Sequence, residues 1–330
     1  SEVINATAAR NLTADVDCCH KNYYFYRDSE GTGEWEAMPW DVDLSFGRNW
    51  QGDDNPATPA PLDGCRCYWD TNMWSNNYVL VGGNNSFWQA IFNFQPTRQM
   101  YFRRLRTLMD EQLQPITTPT NQLRYEAFVN QFTHEIEPDG DLDLGKWGTW
   151  GSGAIGPIPT SDPQYQNTRQ AANVLITNYL PARRLALYNR TAGNSSEIPE
   201  SQPTNIVITI GSLEYNPPSA NQQEEFIRLV NTNRLAVDIS GWTLSGAVDH
   251  VFQGGVVMPS NSVLYVTPNK TAFRNRATAP RRGMGLYVEG PYKGQLSARG
   301  ETIILADKTG RIVTTNAYVG NPSAAQNSLR

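Results

Sequence analysis

The chain divides by the period of its apolar positions. Met100, Leu105, Leu108 and Met109 recur near a helical period and predict a helix over about 96–114, with Thr97 placed to cap its amino end. A second helix is predicted over 123–136. A third follows over about 162–188, broken or kinked at Pro181, with Arg183 and Arg184 on its last turns. The aromatic-rich stretch 84–94 leads into the first helix, and the Gly- and Trp-rich stretch 147–159 reads as a loop. Residues 189–204, with Gly193, Pro199 and Pro203 among several Ser, read as a linker. Beyond it the pattern alternates. Strands are predicted at 206–210, 225–230, 262–266 and 302–305, separated by Pro, Gly and Asn turns, which is the pattern of a β-sandwich. The expected class is therefore α+β: a largely helical part over 1–188, a linker over 189–204 and an all-β sandwich over 205–330.

Composition narrows the partners. A chain of 330 residues is long enough for two domains with their own cores. The net charge of -5, with no basic block, argues against a nucleic-acid surface. No apolar run approaches the roughly 20 residues that a membrane helix needs.

Candidate chemistry concentrates near the amino end. Asp17 and Asn22 are separated by four residues, and the run 39–47 (PWDVDLSFG) follows. Transfer of a phosphoryl group needs hard oxygen ligands for magnesium and a carboxylate near the acceptor hydroxyl. Asp17, Asn22, Asp41 and Asp43 can supply them. Asp41 and Asp43 are two apart, so an extended segment puts both carboxylates on one face, with Val42 and Leu44 on the other.

An Asp, four residues, an Asn and then an acidic element ending in Phe-Gly is the order of the protein-kinase catalytic motifs. With Asn22-Tyr23-Tyr24-Phe25-Tyr26, Trp35 and the PWDVDLSFG run, and with the Arg-rich stretch 99–110, the first part resembles the spore-coat CotH kinase-like family over roughly residues 10–190. The resemblance implies a kinase-like carboxy-terminal lobe that transfers phosphate from ATP to Ser or Thr of extracytoplasmic or coat proteins. In it Asp17 is the catalytic Asp, while Asn22, Asp41 and Asp43 hold Mg2+ on ATP. Residues 225–231 and 237–244 resemble the lamin-tail domain, an immunoglobulin-like module, over about 204–320. That implies binding or anchoring, with Phe226 and Trp242 as core residues of the sandwich.

The match departs from a whole kinase. Only sixteen residues precede Asp17, no Gly-rich phosphate loop occurs among them, and Arg10 is their one basic residue. A full family member has an amino-terminal lobe before this point, so the expectation is a processed fragment whose cleaved amino-terminal part completes the ATP site. The competing expectation is a catalytically inactive surface or coat protein with a structural or adhesive role.

Other readings attach to particular residues. Cys18-Cys19 and Cys65-x-Cys67 form two close pairs, best read as two cross-links between the pairs, with connectivity open, and as the mark of an oxidising, extracytoplasmic compartment. A zinc or copper site with His20 is the alternative, although the spacing matches no common zinc module. Sequons at Asn5, Asn11, Asn84, Asn189, Asn194 and Asn269 agree with secretion. Asp139, Asp141 and Asp143, with nearby Gly, could wrap Ca2+, or form a plain polar turn without the closing Glu of an EF-hand. Arg98, Arg103, Arg104 and Arg106 could reach a phosphate, but read first as a solvated or ion-paired helix face. His20, His134 and His250 sit in no metal or nucleophile motif, and a carboxylate-pair glycosidase with Trp147–Trp150 on the sugar has only residue types behind it.

Overall fold

A computed structural model describes residues 1–15, 22–31, 33–42, 45–46, 48–49, 68–69, 86–147, 167–191, 198–281 and 285–321. The chain is α+β, with helices in the first part and mostly antiparallel sheets in the second, β11 and β12 pairing parallel. Helix α1 (Glu2–Leu12) leads to a hairpin of β1 (Tyr23–Arg27) and β2 (Trp35–Pro39), in which Tyr23 pairs with Pro39 and Arg27 with Trp35. The short strands β3 (Arg48–Asn49) and β4 (Tyr68–Trp69) also pair antiparallel. Helices α2 (Ser86–Asn93) and α3 (Gln95–Leu108) follow, and α3 runs into a π-turn at Met109–Leu113. A long α4 (Arg124–Trp147), then α5 (Thr168–Val174), a second π-turn (Leu175–Tyr179) and α6 (Leu180–Tyr188) complete this part. The break expected at Pro181 is the second π-turn, after which Pro181 occupies the first turn of α6, where its missing N–H costs nothing.

Helix α3 is the axle of the helical part. Tyr101, Leu105, Met109 and Leu113 are buried in one cluster with Trp88, Tyr179 and Leu180, each worth roughly 2–3 kcal/mol of transfer from water. Thr97 does not cap α3: its hydroxyl donates to the carbonyls of Ile91 (2.7 Å) and Phe94 (2.9 Å), serving the chain that leaves α2.

Of the four arginines expected on a solvated or ion-paired face, Arg98 is exposed and Arg104 and Arg106 are ion-paired, with Asp238 at 3.1 Å and Asp110 at 2.9 Å. Arg103, Arg104 and Arg106 are nevertheless buried, so their part of the helix is not a solvated face. Residues 139–143 form neither a calcium loop nor a turn. Helix α4 continues through Pro138 to Trp147, so Asp139 and Asp143 lie one turn apart on one face while Asp141 is turned about 160° away, and the three do not converge on one ion. Tertiary packing supports this extension: Arg169 of α5 pairs with Glu137 at 2.7 Å, and a Cβ at Gly140 would sit 2.3 Å from the Thr168 hydroxyl.

The second part is a sandwich of a four-stranded sheet, β12–β11–β6–β5, and a five-stranded sheet, β13–β9–β8–β14–β15. The strands are β5 (Ile208–Glu214), β6 (Phe226–Asn231), β8 (Thr243–Gly246), β9 (Val248–Val251), β11 (Ser262–Val266), β12 (Val288–Glu289), β13 (Lys293–Gly294), β14 (Gly300–Ala306) and β15 (Ile312–Val319). A separate pair joins β7 (Val237–Asp238) to β10 (Val257–Met258). Alternate residues of the two sheets, with Trp242, fill the layer between them. Phe226 is also buried, but in a small satellite cluster with Phe273 and Val288.

The two parts share a core, for Ala236 and Val257 belong to the apolar cluster of the helices. The α3 arginines clamp the junction. Arg103 donates to the carbonyls of Ala236 (2.9 Å) and Glu200 (2.8 Å), and Arg106 donates to the Pro199 carbonyl (3.0 Å) and the Ser201 hydroxyl (2.8 Å). Burial lowers the pKa of Arg103, with the nearby Asp238 carboxylate opposing that shift.

Candidate functional site

The hairpin brings two of the four sequence candidates together. Its inner face, Tyr23 and Phe25, packs on α2, with ring centroids 5.6 Å from Tyr23 to Trp88 and 5.0 Å from Phe25 to Phe87. The alternation of a strand then turns Tyr24 and Tyr26 outward, where both are more than half exposed. Asn22 stands just before β1 and Asp41 just after β2, and the Trp40 N–H donates to the Asn22 carbonyl at 3.2 Å. The open end of the hairpin thus holds Asn22 and Asp41 side by side.

Both residues adopt left-handed backbone, φ 60° at Asn22 and φ 53° at Asp41. Asn and Asp tolerate this region better than other residues with a Cβ, yet it still carries strain, and such strain gathers at functional sites. It also corrects the expectation that Asp41 lies in an extended segment with Asp43. Strand β2 ends at Pro39, and Asp41 is solvent-exposed outside any strand. Asp17 and Asp43 lie outside the described residues, as do the four cysteines and His20.

The described residues flanking these two are nevertheless pinned. Arg10, near the end of α1, pairs with Asp15 at 3.1 Å and donates to the Asn22 carbonyl at 2.9 Å, so one buried guanidinium fixes the chain before and after Asp17. The Phe46 N–H donates to the Thr13 carbonyl at 2.6 Å, and the Phe46 ring packs edge-on against Tyr179 (5.7 Å) and Tyr125 (6.0 Å). Phe46 therefore lies against the end of α1. Phe46 too has positive φ, 55°.

Beneath lies Arg183 of α6. Its Nη2 donates to the Asn11 carbonyl (2.5 Å) and to Asn11 Oδ1 (3.2 Å), and its Nε reaches the Leu12 carbonyl at 3.5 Å. These are last-turn carbonyls of α1, which lack intrahelical donors and form the negative end of the helix dipole, so a cation there satisfies both needs. Burial lowers the Arg183 pKa and raises that of its neighbour Tyr179. Burial likewise pushes the Tyr125 hydroxyl up to about 12, so these phenols stay neutral near pH 7. Sequence reasoning missed Asp15 and the role of Arg183; the available signal was a pair of arginines between the apolar positions Leu180 and Leu187.

As metal ligands, Asn22 and Asp41 offer hard oxygens at an accessible edge, which suits Mg2+. Among the described residues no three His, Cys, Asp or Glu side chains converge as a metal set. The cleft of about 340 Å3 between the helices and the sandwich is a different place: its carboxylates Asp110, Asp238 and Asp307 already accept hydrogen bonds from neighbouring side chains, and Glu111 pairs with Lys308. The α3 arginines spend their donors on the domain junction and are not a phosphate cradle. Two sequons are occupied by structure, since Asn5 accepts from Arg104 and Asn11 is buried against Arg183.

Among known families, that described as CotH kinase protein matches residues 1–185, and that described as Lamin Tail Domain matches residues 199–320. No curated protein matches the chain.

Proposed function

The chain belongs to the CotH kinase protein family and carries a lamin tail domain, and on that premise we propose that it is a kinase-like phosphotransferase of coat or extracytoplasmic proteins. The observation that carries this reading is the convergence of Asn22 and Asp41 at the open end of one hairpin, both in left-handed backbone. Asn22 and Asp41, with Asp43, would hold magnesium, which would supply neutralisation of charge on the phosphate oxygens of ATP. Asp17 would accept the proton of a Ser or Thr hydroxyl on the protein substrate as that oxygen bonds to the γ-phosphorus of ATP, the β–γ phosphoanhydride bond breaks and ADP leaves. Arg10, Asp15 and Arg183 hold the backbone on which these groups stand.

A second reading, an inactive coat or surface component, is favoured by one observation. Arg10, the basic residue upstream of Asp17, is engaged with Asp15 and the Asn22 carbonyl, so it is not ready to hold a phosphate. Calorimetry of Mg2+-dependent ATP binding separates the two, on the chain alone and with any co-purifying amino-terminal fragment. Binding that Asp41→Ala weakens at least tenfold supports the kinase-like reading. No binding in either preparation leaves the inactive reading standing.

A further inference from the structure

Helix α1 leads into the candidate site and is fastened at its far end to the lamin tail domain. Between them sits Arg104 of α3, whose Nε donates to Asn5 Oδ1 at 2.8 Å while its Nη1 pairs with Asp238 Oδ2 of β7 at 3.1 Å. The far anchor is itself rigid. Asp238 Oδ1 accepts the Ser240 N–H (2.9 Å) and hydroxyl (2.5 Å), and the Gln202 side chain bonds both the N–H (2.8 Å) and the carbonyl (3.1 Å) of Asp238.

Two further contacts make this a docking of backbone and not of one side chain. A Cβ at Gly255 would lie 2.8 Å from Asn5 Cβ and one at Gly254 3.3 Å from Arg104 Nη2, so the turn before β10 touches α1 with no room for a side chain. On the hairpin, Glu34 pairs at 2.5 Å with Lys270 of helix α7 (Lys270–Arg274) in the lamin tail domain. The sandwich thus holds both elements that present the site, each at the end away from Asn22 and Asp41.

We propose that the lamin tail domain is a positioning element of the kinase-like site, and that Arg104 is the residue through which it sets the placement of α1. The word "site" rests on the function proposed above; the mechanics do not. An eleven-residue helix spans about 16 Å and moves as a rod. Held at Asn5 by the sandwich and at Arg10, Asn11 and Leu12 by the groups beside Asn22, it converts a tilt at one end into a displacement at the other.

Hydrogen exchange on the full chain tests this without requiring activity. Asn5→Ala removes the link to α1 and keeps the Arg104–Asp238 pair; Arg104→Lys keeps a charge and loses the fork. In both, amides over 9–15 and 22–27 are expected to exchange roughly tenfold faster, with β6 and β11 unchanged, and Mg2+-ATP binding is expected to weaken in the same order. Folded variants whose 9–15 exchange matches the parent overturn the proposal. So does acceleration spread equally over β6 and β11, which would mean general loss of stability. A parent that binds no nucleotide, alone or with any co-purifying amino-terminal fragment, overturns the function reading alone, since exchange still decides whether the sandwich positions α1.

Discussion

Replacing Arg183 by Met keeps the aliphatic stem and deletes the guanidinium, leaving the Asn11 carbonyl, the Asn11 amide oxygen and the Leu12 carbonyl without that donor in a buried place. A hydrogen bond from a charged donor is worth about 1.5–3 kcal/mol, so the two short bonds to Asn11 account for about 3–6 kcal/mol. The depressed pKa of Arg183 shows that burying this cation is itself costly, and its removal returns part of that sum. The net expectation is a loss of about 3 kcal/mol, measured as a lower urea midpoint with an unchanged slope. Arg183→Lys has one compact ammonium in place of the fork and should recover less than half. Arg124→Met is the control, because the Arg124 side chain is exposed and lies over the Phe128 ring, and should stay within about 0.5 kcal/mol. If Arg183→Met falls within about 1 kcal/mol of the parent, the role assigned to Arg183 as the buried cap of α1 is wrong.

The lamin tail domain offers two more tests. Glu225 is buried, and its pKa is pushed up to about 7 by desolvation, opposed by hydrogen bonds from the Leu296 N–H and the Tyr292 hydroxyl and assisted by Glu214 and Glu301. A raised folded pKa means that the stability it contributes is full below about 4.5 and is lost as pH rises through about 7. Glu225→Gln should therefore match the parent near pH 5 and exceed it near pH 8, by at most about 3 kcal/mol; equal melting curves at both pH values would count against a buried neutral Glu225. Gly246 has φ 94°, and a Cβ there would sit 2.2 Å from the Thr302 carbonyl oxygen, so Gly246→Ala should cost at least about 2 kcal/mol in thermal or urea unfolding, and a neutral result would contradict the β8–β14 register.

Legibility in the sequence followed locality. The strands near 206–210, 225–230, 262–266 and 302–305 were readable because a period of two needs no partner to be seen, and the structure has strands at each place, with the same ends at 262–266 and ends shifted by one to four residues at the other three. Helix α3, the first half of α4 and the helices before Tyr188 were readable from their apolar period, whereas α1 and α2 were not expected and α4 runs eleven residues past its expected end. Burial of Arg103, Arg104 and Arg106 was not, because charge on a helix signals solvent until the partner that covers it is known, and here that partner lies more than ninety residues away. Residues 139–143 misled in the opposite direction: Asp and Gly favour turns locally, while packing by α5 holds them helical. At the site, motif order singled out Asn22 and Asp41, but their left-handed backbone depends on the hairpin pairing and on Arg10, which no short window reveals.

The π-turn at Leu175–Tyr179 has a consequence of phase. Such a turn is an α-helix that has absorbed one surplus residue, and one residue is worth about 100° of rotation around the axis. Everything after it, Arg183 and Arg184 included, faces where it does because that residue is present. The grip on α1 is thus specified less by having an arginine at 183 than by the count of residues that precedes it, and a chain one residue shorter between α5 and α6 would carry the same side chains, aimed about a quarter-turn away from the site they steady.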